Sequence, residues 1–101
     1  MIYTTAVTLA ASGSLISAVP GKRIRVLGIA MVALAATAVK LQSSGTPTDI
    51  SGVFSFAANG GLVLPVAPDK IGWCDTLAGE ALQANLSVAT TVGFNIVYTL
   101  V

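Results

Sequence analysis

Hydrophobic and polar positions alternate with a period of two along most of this chain, in short runs. In "KRIRV", Ile24 and Val26 oppose Arg23 and Arg25; in "AVKLQS", Val39 and Leu41 oppose Lys40 and Gln42. Successive side chains of a strand point to opposite faces, so this pattern predicts strands with one face on a core. Strands are expected over 3–9, 15–19, 23–33, 37–43, 50–57, 62–66, 72–76, 81–88 and 92–101. In the last of these Phe94, Ile96, Tyr98 and Leu100 share a face, and over 50–57 Ile50, Gly52, Phe54 and Phe56 do so. Turn signals separate the runs: "SGS", Pro20-Gly21, "SSGTPTD", "NGG", "APDKIG" and "LAGE". Asn59-Gly60 is the strongest hairpin signal, since both residues accept positive φ, and Pro65 confines the strand after it to an edge or a bulge. About eight short strands at this spacing, without a helical pattern, predict an all-β fold, an antiparallel β-sandwich of jelly-roll type.

One stretch departs from simple alternation. Fourteen consecutive residues between Arg25 and Lys40 carry no charge. A membrane-spanning helix needs about 20 apolar residues, and a single strand of that length would reach about 46 Å, too long for a domain of this size. A bend near "ALAATA" therefore divides the stretch into two strands. In the first, both alternating sets are apolar: Gly28, Ala30 and Val32 on one side, Leu27, Ile29 and Met31 on the other. A strand apolar on both faces must be covered on both. One cover is the opposite sheet and the other is a neighbouring subunit, for which Leu27, Ile29 and Met31 are the candidate contacts.

Composition points the same way. The 101 residues make one domain, 1–101, in which residues 1–8 form an N-terminal arm or an edge strand. The chain is 54% hydrophobic and 9% charged, against about 25% charged in ordinary soluble domains. A small monomer with so little charge lacks a solvating coat, so surface hidden against other copies or a partner is expected. Of five basic residues three lie in "GKRIR" (Lys22, Arg23, Arg25), too few for the basic stripe of a nucleic-acid binder. The start "MIYTTAVTLAASGSLISA" lacks the charged first region of a signal peptide and is read as mature sequence.

The chemistry-bearing residues form no constellation. There is no histidine and only one cysteine, so neither a zinc set nor an internal disulfide is expected. Cys74 beside Trp73 has no imidazole to make it a nucleophile. Asp75 and Glu80 are paired in sequence like the carboxylates of acid/base catalysts, but at a turn, where solvated acids are common. "GTPTD" has no lysine or following helix to make a phosphate loop, and the sequon at Asn85 falls in a predicted strand. The expectation is a protein that is not an enzyme and takes no cofactor and no metal.

The ordered motifs "LISAVPGKRIRVLGIAMVA", "AVKLQSSGTPTDISGVFSFAANGGLVLP" and "GWCDTLAGEALQANLS" resemble those of small virion proteins of tailed bacteriophages. In such proteins a basic strand, a strand-loop-strand, an Asn-Gly-Gly turn and a Gly-Trp segment follow in this order. The resemblance runs from Leu15 to Val101, and Cys74 stands where that family places an aromatic. It implies a β-sandwich that assembles as a homotrimer on the capsid surface or caps a tail or fibre part, made in the host bacterial cytoplasm, with no catalytic residues.

Two functions follow as expectations. The first is a head decoration (cement) protein that binds the major capsid protein and bridges neighbouring capsomers, with the Thr-rich segment Met1, Ile2, Tyr3, Thr4 and Thr5 as the docking element, able to add a strand to a coat-protein sheet. The alternative is a tail-tip or fibre knob binding host-surface saccharide. The loops "SGS", "SSGTPTD" and "ANGG" lack aromatics, which favours the first. No nucleic acid and no membrane partner is expected.

Overall fold

The computed structural model describes residues 1–66 and 71–101, so most of the expected turn at 67–72 lies outside the described residues. Among the described residues ten strands follow one another: β1 (Ile2–Leu9), β2 (Gly13–Ile16), β3 (Ile24–Ala33), β4 (Thr37–Ser43), β5 (Thr48–Asp49), β6 (Phe54–Phe56), β7 (Gly61–Leu64), β8 (Cys74–Asp75), β9 (Leu82–Leu86) and β10 (Val92–Leu100). The uncharged fourteen-residue stretch is divided as expected, with a bend at 34–36 between β3 and β4. No helix among the described residues is long and apolar enough to cross a membrane.

Every strand pairing is antiparallel, and the strands form two sheets. Sheet A runs β1-β10-β3, with β7 and β8 sharing the far edge of β3. Sheet B runs β2-β9-β4, with β5 and β6 sharing the far edge of β4. On each shared edge two short strands occupy one strand position, which among the described residues leaves eight positions in two sheets of four. Between positions the chain switches sheet at every step except the short return from β4 to β5. That alternation is the jelly-roll order.

The expected hairpin at Asn59-Gly60 is corrected here. Asn59 does take positive φ, 60°, and the Gly60 amide donates to the Ala57 carbonyl at 2.9 Å. The turn nevertheless joins β6 of sheet B to β7 of sheet A. Asn-Gly sets the local reversal, but the partners are chosen by longer strands: β4 takes Phe54–Phe56 and β3 takes Gly61–Leu64. Gly61 lies so close to β3 that a Cβ would run into the Met31 carbonyl oxygen. The expected strand 50–57 is likewise reduced to Phe54–Phe56. At the gap before it, Ile50 and Ser51 continue the pairing with β4 irregularly: the Ile50 amide donates to the Leu41 carbonyl at 3.0 Å and the Leu41 amide to Ser51 Oγ at 2.9 Å.

The core lies between the sheets. Ile24, Val26, Ile29, Met31, Val92, Phe94 and Ile96 from sheet A meet Leu15, Val39, Leu41, Leu82 and Ala84 from sheet B. Each large aliphatic side chain removed from water contributes about 1.5–3 kcal/mol. Tyr98 and Leu100 continue the buried face of β10 in partly covered form, and Tyr98 stacks on Tyr3 with ring centroids 5.3 Å apart.

Polar groups inside the sandwich are matched. Thr76, fully buried, follows β8 and closes the lower end of sheet A: its Oγ1 accepts from the Ile24 amide and its own amide donates to the Ile24 carbonyl, both at 2.9 Å. Thr76→Val keeps the shape but leaves a buried amide without an acceptor, which costs about 1–3 kcal/mol. Chemical denaturation of this variant is expected to show a lower midpoint with an unchanged slope.

Candidate functional site

A register shift in β3 decides which surface the protein presents. β10 pairs Val97 with Gly28 and Tyr98 with Val26, so Leu27 is an extra residue with no partner. A bulge of this kind reverses the strand's facing parity. Before it Ile24 and Val26 point into the core; after it Ile29, Met31 and Ala33 do. Arg25 and Gly28 consequently share the outer face.

The expected contact surface is therefore corrected. Ile29 and Met31 are 3% and 1% exposed within a single chain and belong to the core, while Leu27 is buried at the bulge, outside the main cluster. The outward set is Gly28, Ala30 and Val32. The reason is volume. Both sets are apolar, but turning isoleucine and methionine inward removes far more area from water than turning glycine and alanine inward. Side-chain size was the signal in the sequence that could have assigned the faces.

The outer face of sheet A ends in the row Ile2, Thr99, Arg25 and Asp75, which holds the Arg25–Asp75 pair, and beside it lie three further rows of paired residues. Thr8, Gly93, Val32 and Gly61 form one row; Ala6, Asn95, Ala30 and Val63 the next; Thr4, Val97 and Gly28 the third. No residue of these three rows is charged. Gly93, Gly28 and Ala30 share the middle with Asn95, Val97 and Val32, so the rows form a shallow trough flanked by Thr4 and Thr8 on one side and Val63, Pro65 and Val66 on the other. Val32 and Val63 are 57% and 69% exposed. Two sheets can pack face to face over such a surface, because short side chains let backbones approach.

Met1–Thr5 is not a separate arm. Ile2–Leu9 pairs without interruption along β10, from Ile2 opposite Thr99 to Leu9 opposite Val92, and the Met1 carbonyl accepts from Thr99 Oγ1 at 2.8 Å. The segment is an edge strand of sheet A.

The remaining candidates are held in structural roles. Asp75 receives Arg25 Nε at 2.9 Å and Nη2 at 3.0 Å, a two-pronged pair that ties β8 to β3 and raises the Arg25 pKa through the hydrogen bond and then the charge of Asp75. The basic cluster is thereby divided, with Lys22 and Arg23 exposed and Arg25 engaged. Glu80 accepts from Ser43 Oγ at 2.5 Å and the Gly45 amide at 2.8 Å. These bonds, Ser43 first, hold its carboxyl below the usual carboxylate range. The two acids are thus bound to different partners. Asp49 accepts from Gln42 Nε2 at 2.8 Å and Lys40 Nζ at 3.2 Å. Asn85 lies in β9 opposite Lys40. Among the described residues no three His, Cys, Asp or Glu side chains come together as a metal site.

Cys74, half-buried, pairs with Val26. Burial, and then the neighbouring Asp75 charge, push its thiol up to about 11, and the thiolate is the reactive form.

Comparison with known proteins adds no relative: no protein-family model matches the chain, and no curated protein matches it.

Two measurements check these assignments. Cys74 in the folded protein is expected to react with iodoacetamide at pH 8 far more slowly than in denaturant, read by mass spectrometry. For Glu80 the sign follows from the lowered pKa: its contribution to stability is present above the ordinary carboxylate pKa and is lost as pH falls through the lowered value. Glu80→Gln is expected to lower stability at neutral pH and to shrink the loss on acidification, measured by thermal melts from neutral pH down to about 3.

Proposed function

We propose that this chain is a non-catalytic structural protein of a virion, a capsid decoration protein that binds the assembled shell of a tailed bacteriophage. The observation that carries the reading is the outer face of sheet A: an uncharged trough of small residues, on a chain with only nine formal charges in all. A free domain gains nothing from exposing such a surface, and contiguous exposed apolar area marks a contact site. The ordered motifs from Leu15 to Val101 and the jelly-roll order of the strands support a virion protein as the setting. In this reading the trough seats on the major capsid protein, and three copies gather about a threefold position of the shell. A ligand that binds only the intact shell stabilises it by mass action, and repetition over many sites multiplies the effect.

The saccharide-knob reading finds less support. Trp73 is 50% exposed, but its indole N–H is spent on the Pro65 carbonyl at 2.9 Å. The neighbouring Asp49 and Ser51 are engaged by Lys40, Gln42 and the Leu41 amide. A sugar site needs polar groups free to meet hydroxyls.

The purified protein is expected to co-sediment with mature phage shells and to raise the temperature at which they break. Binding should change by less than roughly tenfold between low and high salt, because ion pairing carries little of it. Val63→Asp and Ala30→Asp, folded by circular dichroism, are expected to lose at least about tenfold in shell affinity, since each places an unpaired charge in the contact. Unchanged binding by both variants would remove the trough from the shell contact.

A further inference from the structure

The four sheet edges of this sandwich differ sharply. Edge strands present unpaired N–H and C=O groups, and stable folds usually blunt them with charge, proline, bulges or brevity. Three edges here are blunted. β2 has four residues and a register shift, β5 and β6 have two and three residues with a break between them, and the described strands of the β7–β8 edge are Gly61–Leu64, followed by Pro65, and Cys74–Asp75. The fourth is not. β1 is eight residues long, pairs with β10 in unbroken register, and has no proline and no charged side chain. Every second residue of such a strand directs both its N–H and its C=O away from its neighbour.

We propose that β1 pairs antiparallel with β1 of a second copy about a twofold axis, continuing the two A sheets into one sheet of eight strand positions. The contact does not rest on the capsid reading. Two observations select a second copy as occupant. An antiparallel edge is complementary to itself, so one twofold contact closes both unguarded edges at once and leaves none to recruit further chains. A twofold contact also sets each surface against its own likeness, so any charge near the axis would meet its own sign; β1 and its neighbour β10 carry no charged side chain over eight and nine residues.

The register is constrained. For the inner faces of both copies to stay on one side of the continued sheet, opposed residues must have the same parity, which puts the axis on a residue, and the fullest overlap of two Ile2–Leu9 strands selects Thr5 or Ala6. In the first case Thr4 lies opposite Ala6 of the second copy; in the second, Ala6 lies opposite itself. Both residues are exposed on the outer face.

The test is a charge swap read by sedimentation equilibrium of the full chain. Wild type is expected at twice the 10.1 kDa of one chain or an even multiple of it. Thr4→Lys with Ala6→Lys opposes like charges in either register and should lower the mass at least twofold, as should Thr4→Glu with Ala6→Glu. Mixing the two variants one to one should restore the wild-type mass, which a folding defect could not produce. Val63→Lys, on the outer face but far from the edge, serves as the control and should leave the mass unchanged. A wild-type mass of a single chain, failure of the mixture to recover, or loss of mass in Val63→Lys equal to that in the β1 variants would overturn the edge contact. The last outcome would leave the trough as a contact surface, whereas shell binding lost by Val63→Asp with the edge dimer intact would separate the two surfaces.

Discussion

The structure depends on β3. It is paired on both sides, by β10 on one edge and by β7 and β8 on the other, and its inward side chains belong to the core. A ten-residue strand so placed must keep its large side chains inward throughout. Strict alternation in "IRVLGIAMVA" does not do that: Ile24 and Val26 have one parity, Ile29 and Met31 the other. The unpaired Leu27 resolves the conflict by shifting the register once against β10. Both halves then bury their large residues, and Arg25 falls on the outer face, where Asp75 meets it.

The surface follows from that constraint. Once Ile29 and Met31 are inward, Gly28 and Ala30 are outward, and with Ala6, Gly93 and Gly61 they leave an outer face with little side-chain relief. The low charge of the chain is then concentrated where it organises loops. Asp75 fastens β8, Asp49 ties β5 to Lys40 and Gln42, and Glu80 gathers Ser43 and the Gly45 amide. Each of these acids is a structural clasp, and at Asp49 and Glu80 the hydrogen-bond partners favour the ionised form. Three rows of the outer face of sheet A and the β1 edge are left uncharged.

The strand pattern, the bend inside the uncharged fourteen-residue stretch and the jelly-roll class were legible in the residues, because alternation and turn chemistry are local and each strand carries its own record of them. β4 was expected over Thr37–Ser43 and is found there. That both alternating sets of β3 are apolar from Leu27 to Val32 was also legible, since it depends only on the absence of polar residues in either set. Tertiary structure alone decided which set faced which way and which strands became neighbours. Parity at Leu27 depends on the register against β10, more than sixty residues away, and the destination of the Asn59-Gly60 turn depends on two strands competing for partners in different sheets. Period two labels two faces without saying which is inside, and a turn sets a reversal without naming the strand that follows it; both choices are made by the packing of the whole sandwich, where the larger buried area wins.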